Sequence, residues 1–136
     1  MSRRKTERGR LALGFTLIEL VVVLAILGIL LALAVPRYLG ARKRAYKAEI
    51  DNILQEAKTL SWAYYQEYDV FPSALSDISL QMPSGTVWTP PAASGGGTST
   101  FVQWTSSGNG LGPVTATDAC SVLLSSNGDA SQSCTF

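Results

Sequence analysis

Histidine is absent from this 136-residue chain. That removes His-based triads, His general bases and His metal ligands. Basic side chains are missing from the C-terminal half: all eleven Lys and Arg stand at or before Lys58. Beyond it the charged residues are Glu67, Asp69, Asp77, Asp118 and Asp129. A surface that grips phosphate needs Lys or Arg, so direct nucleic-acid contact is not expected there. The acidic balance reads simply as a means of staying in solution. Cysteine is scarce, with only Cys120 and Cys134. Two such ligands make a poor zinc site, so no metal and no cofactor is expected. The pair reads as a disulfide in an exported domain and as free thiols in the cytosol. Ser-rich loops without His, a visible Lys or paired carboxylates offer no activated nucleophile, which argues against an enzyme.

What is present is concentrated at the N-terminus. Arg3, Arg4, Lys5, Arg8 and Arg10 stand against Glu7 in the first fourteen residues. Residues 15–35 are then apolar except for Thr16 and Glu19. As a helix, that stretch would reach ~31 Å at 1.5 Å per residue, about one hydrocarbon thickness. A carboxylate inside such a run is costly, roughly 2.5–3.5 kcal/mol for a mid-helix acid.

From Arg37 the pattern turns amphipathic. Tyr46, Ile50, Ile53, Ala57, Leu60 and Tyr64 recur at three- and four-residue steps, flanked by Leu54, Ser61 and Tyr68. Arg42, Lys47, Glu49, Glu56 and Lys58 occupy the opposite side. The reading is one long helix, loosened or kinked where Pro36 cannot donate to the carbonyl of Ala32. Gly28 is a second weak point. Pro72 in "DVFPSALSD" ends the helix by holding Phe71 extended. Short β-like runs follow at 85–89, 100–105 and 119–126, and "PPAASGGGTST" (90–100) reads as a flexible surface loop. The expected fold is α+β, with the long helix packed on a small antiparallel β-sheet head. The expected segments are a basic leader (1–14), a membrane and packing helix (15–36), its amphipathic continuation (37–70) and a β-rich head (71–136).

The last hairpin admits two registers. A two-residue Asn127-Gly128 turn sets Cys120 opposite Thr135 and sends Cys134 to the other face. A three-residue loop, Ser126-Asn127-Gly128 with Gly128 left-handed, sets Cys120 opposite Cys134 instead. A bonded pair predicts the three-residue form, and closing that loop contributes ~3 kcal/mol by the chain-entropy argument. The alternative is an irregular tail that the disulfide merely staples.

The N-terminus admits three readings. A secretory signal fits the basic start and Ala32-Leu33-Ala34, but the apolar run exceeds a 7–15-residue core. A plain single-pass anchor fits the length, yet it gives no account of Glu19, and bases flank both sides. Cleavage after Gly14 accounts for more. It removes the basic leader and creates an amine on Phe15, the partner a buried carboxylate needs. Within one helix, Phe15 and Glu19 would be i and i+4; between staggered helices, the pair would set an axial register.

At this point the sequence resembles a known family. "GFTLIELVVVLAILGILLALAVP" is similar to the class III signal of type IV pilins and pseudopilins, with Gly14, Phe15, Thr16, Leu17, Glu19 and Pro36 at the family's spacing. Leu13 stands where a basic residue is frequent in the family. The resemblance implies cleavage between Gly14 and Phe15 by a prepilin peptidase, which commonly also methylates the Phe15 amine. It implies assembly roles for Thr16 and Glu19, and helix weak points at Gly28 and Pro36. It implies an inner-membrane subunit with a periplasmic head, then a surface filament of self and other pilins, built by an assembly platform and a cytoplasmic ATPase. The cysteine pair looks like the disulfide-bounded region of pilins, and Glu19 argues against a subunit that caps the tip. The alternatives are a type II secretion pseudopilin, or a minor pilin with an adhesive or DNA-uptake role. Trp62, Trp88 and Trp104 could stack against a ligand in the last case, although tryptophans are more often core.

Overall fold

The computed structural model describes residues 14–135. The leader read at 1–14 lies, apart from Gly14, outside the described residues. The element order is helix α1 (Leu17–Tyr68), a short helix α2 (Leu75–Ile78), and strands β1 (Ala92–Ser94), β2 (Phe101–Ser107), β3 (Ala119–Ser125) and β4 (Ala130–Cys134). The four strands form one antiparallel sheet in the order β1-β2-β3-β4. This is an α+β fold. The chain divides into two compact units after Tyr38.

In the first unit the apolar stretch of α1 is exposed from Leu17 to Val35. It is long and apolar enough to cross a membrane by length and composition. The helix is continuous across Gly28 and Pro36. A proline here removes one donor, and one missing bond in a long ladder does not end the helix.

In the second unit, Ile50, Ile53, Leu54 and Ala57 of α1 are buried, as are Val102 and Trp104 of β2 and Cys120, Val122 and Leu124 of β3. Alternation along each strand puts every second side chain on the face the helix covers. Each large aliphatic buried this way contributes about 1.5–3 kcal/mol. The buried line runs through Leu54 and Ser61, which the sequence pattern placed at the stripe's edge, while Leu60 is only half-buried. Ser61 can sit inside because both of its polar needs are met: it donates to the Ala57 carbonyl at 2.6 Å and accepts from Trp104 Nε1 at 2.7 Å.

One expected strand and one expected loop require correction. The run 85–89 is not a strand; Trp88 makes one isolated bridge to Gly108. Pro90 and Pro91, which have no N–H to donate, stop the ladder from lengthening. The stretch 90–100, read as a loop, contains β1, where Ala93 pairs with Trp104. Three residues are too few to show a period. The glycines after it are also held in place: Phe71 donates to the Thr98 carbonyl at 2.8 Å, and Gly97 donates back to the Phe71 carbonyl at 2.9 Å.

The last hairpin takes the three-residue form. Cys120 pairs with Cys134 and Leu124 with Ala130, while Ser125 donates to the Asp129 carbonyl at 2.9 Å. Ser126, Asn127 and Gly128 close the loop, and Gly128 has a φ of 87°. The two sulfurs are bonded.

Candidate functional site

Gly14, Phe15 and Thr16 precede the first turn of α1 in non-helical conformations. Thr16 caps that turn. Its Oγ1 accepts from the Glu19 backbone N–H at 3.3 Å and donates to Glu19 Oε2 at 3.4 Å. Its carbonyl accepts from the Leu20 N–H at 3.3 Å. The threonine and the glutamate three residues later thus have capping-box spacing, and the carboxylate lies at the positive end of the helix dipole. Sequence reasoning named both residues but missed this link, although T-x-x-E ahead of an apolar run signals it.

The cap changes one expectation. Phe15 lies outside the helix and is 83% exposed, so in this form it is not an i, i+4 helical partner of Glu19. Gly14 is also exposed. The bond between Gly14 and Phe15 therefore lies outside the helix and is accessible.

The remaining positions fall into the head. Trp88 and Trp104 are core residues and cannot stack against a ligand. The indole N–H of Trp88 donates to the Tyr46 carbonyl at 3.1 Å. Trp62 is half-buried and stacks on Tyr65. Among the described residues no three His, Cys, Asp or Glu side chains gather into a metal-holding group.

Two head carboxylates are tuned by local turns. The backbone N–H groups of Ser73 and Ala74 hold Asp77 below the ordinary carboxylate range, at 2.9 and 3.0 Å. Asp118 is lowered by the N–H and hydroxyl of Thr115, at 2.7 and 2.9 Å, and further by Lys43. Hydrogen bonds to the ionised form favour it. These are loop fasteners.

Comparison with known proteins fits this N-terminal arrangement. The family model described as "Prokaryotic N-terminal methylation motif" matches residues 10–35. The chain is 33% identical over 72 residues to the type IV major pilin protein PilA of Myxococcus xanthus, covering 53% of this chain and 33% of that one. It is 41% identical over 59 residues to the type IV major pilin protein PilE of Neisseria gonorrhoeae, covering 43% and 35%. It is 41% identical over 81 residues to the type IV wide pilus major component PilA4 of Thermus thermophilus, covering 57% and 62%. The matches thus span about a third of the first two relatives and three-fifths of the last. The matched motif takes in the capped start of the apolar helix, and over its N-terminal part the chain is similar to type IV pilins.

Proposed function

We propose that this chain is a structural subunit of a type IV pilus, cut between Gly14 and Phe15 and polymerised through residues 15–36. The observation that carries the reading is the exposed apolar helix that opens on a lone carboxylate, Glu19, just after an exposed Gly14-Phe15 bond that lies outside the helix. Cleavage there leaves an amine at Phe15, available for methylation. Aliphatic side chains from Leu17 to Val35 first dissolve in the inner membrane and then pack against neighbouring copies. Shape-driven packing of apolar rods is poor at choosing one register, whereas a charge pair in a low-dielectric interior is sensitive to alignment. Glu19 supplies one half of that pair and the Phe15 amine of an adjacent subunit the other. Gly28 and Pro36 lower the resistance to stretching. The head stays on the far side of the inner membrane, where oxidation of Cys120 and Cys134 is favoured. A peptidase, an assembly platform and the other pilins of the fibre are the partners. The relatives' names as major pilins favour this over a secretion pseudopilin.

Mass spectrometry of the mature protein from sheared surface filaments tests the reading. A chain beginning at Phe15 is expected; an intact leader, or another first residue, refutes it.

A further inference from the structure

We propose that the membrane-proximal base of the head, built from Arg42, Lys43, Arg44 and Lys47 of α1 and from Leu111 in the β2–β3 connection, is a seat for anionic phospholipid headgroups that holds the unassembled subunit on the bilayer surface. The inference rests on reading residues 15–35 as a membrane span.

Five bases stand between Arg37 and Lys47, and the first acid after them is Glu49. All five are exposed. Gly40, Lys43, Arg44 and Lys47 fall at i, i+3, i+4 and i+7, which places them on one helical face. Arg42 lies on another side of the helix, and there the β2–β3 connection adds an apolar tip beside it. A β-carbon built on Gly112 would lie 3.7 Å from Arg42 Nη2 and 3.9 Å from the Tyr46 hydroxyl. Arg42 donates to that hydroxyl from Nε at 3.3 Å and from Nη2 at 3.2 Å. Leu111, between two glycines of positive φ, is 65% exposed.

Leu111 is held outward by an ordered loop. Its N–H donates to Asn109 Oδ1 at 3.0 Å, and Asn109 Nδ2 donates to the Thr86 carbonyl at 3.2 Å. A large aliphatic tip beside one base of a strongly basic helix segment is the pattern of a surface that meets headgroups with its charges and the acyl boundary with its apolar end. These bases follow the apolar run within twelve residues of Val35, so the tether keeps them at the leaflet.

A second copy of the acidic head is the competing occupant, and the head's acids disfavour it. Asp77 and Asp118 are occupied by their turns, and Asp129 accepts from Asn127 Nδ2 at 2.6 Å. On the base itself, Lys47 pairs with Asp51 at 3.2 Å and Lys43 lies near Asp118. Such exposed pairs are weak and exchange readily for a headgroup phosphate.

The test uses the full chain, with Cys120–Cys134 left bonded and L111C carrying an environment-sensitive dye. The chain is reconstituted into phosphatidylcholine vesicles and into vesicles of equal parts phosphatidylcholine and phosphatidylglycerol, both doped with a headgroup-level nitroxide lipid. Quenching of the dye is expected to be several-fold stronger in the anionic vesicles. Each base removed, in Arg42→Gln and then Arg44→Gln, is expected to weaken headgroup occupancy roughly fivefold. Equal quenching in both lipids, or quenching indifferent to the Arg substitutions, overturns the proposal. So does dye self-quenching that grows with the protein-to-lipid ratio, which would assign the face to a second copy. Flotation after an alkaline wash is measured in parallel. A chain lost from the vesicles would strike the membrane-span reading itself, whereas a retained chain without charge-dependent quenching strikes only the seat.

Discussion

The indole N–H of Trp104 reaches the hydroxyl of Ser61 at 2.7 Å, and both residues are fully buried. One is on β2 and the other on α1, forty-three positions apart. The bond ties the sheet to its covering helix at a buried polar point within an apolar interface. Replacing only one partner is the damaging change, because the other is then stranded away from water. Ser61→Ala is expected to lower unfolding free energy by about 1–3 kcal/mol in denaturant titrations of the full chain in detergent micelles. A midpoint unchanged by the substitution would show that the indole finds another acceptor.

The Cys120–Cys134 link closes a short loop around the last hairpin. Its loss is expected to cost about 3 kcal/mol, because the unfolded chain regains loop freedom. The double substitution Cys120→Ser/Cys134→Ser, followed by the near-ultraviolet signal of the tryptophans on heating, measures this. A hairpin that keeps its register for other reasons would leave the transition where it was.

Gly96 packs against the carbonyl of Pro72, and any β-carbon there would collide with it. Gly96→Ala is therefore expected to displace the loop from Phe71, breaking the pair of bonds from Phe71 to Thr98 and from Gly97 to Phe71. Faster amide exchange at Phe71 and Gly97 reads this directly. Gly85→Ala is a control for an open, positive-φ position, since nothing lies near its missing β-carbon.

Asp77 and Asp118 both have carboxyls held below their unfolded value of 3.8. A lowered folded-state pKa means that the ionised form is favoured in the fold. The associated stability is present above the unfolded pKa and is lost as pH falls through the folded one. Denaturant midpoints are expected to fall as the solution is acidified below about 4, and Asp77→Ala with Asp118→Ala is expected to flatten that dependence. An equally steep acid dependence in the double variant would assign it to other carboxylates.

Thr16 is expected to matter through its cap as well as through its position. Thr16→Ala should fray the first turn of α1 at a cost of about 1 kcal/mol, and Thr16→Ser should retain it. Amide exchange at Glu19 and Leu20 distinguishes the two, because both N–H groups bond to Thr16.

The legible parts of the sequence were those in which many residues repeat one physical message. The apolar run, the long amphipathic helix and the β2–β3 alternation each rest on many concordant positions. The hairpin register was legible for a different reason: a bond between Cys120 and Cys134 is compatible with only one of the two loop lengths. What escaped was short or depended on distant partners. β1 is defined by its pairing to β2, and nothing within three residues announces it. Ser61 looks like a poor core residue until Trp104 is brought to it. The Thr16–Glu19 cap is written in the spacing T-x-x-E, where the acid's role in starting the helix stands beside the role of its charge.

The two rims of the sheet are unequal and neither is inviting. One is β1, three residues long and preceded by two prolines; the other is β4, whose Ser131 and Ser133 are exposed, whose Gln132 bonds to Gln55 and Asp51 of α1, and whose end is bolted to the neighbouring strand by sulfur. An open sheet rim is a template on which strands of other chains can pair. Blunting both rims closes off growth by strand addition, so that any joining of copies is left to side chains rather than to the backbone ladder.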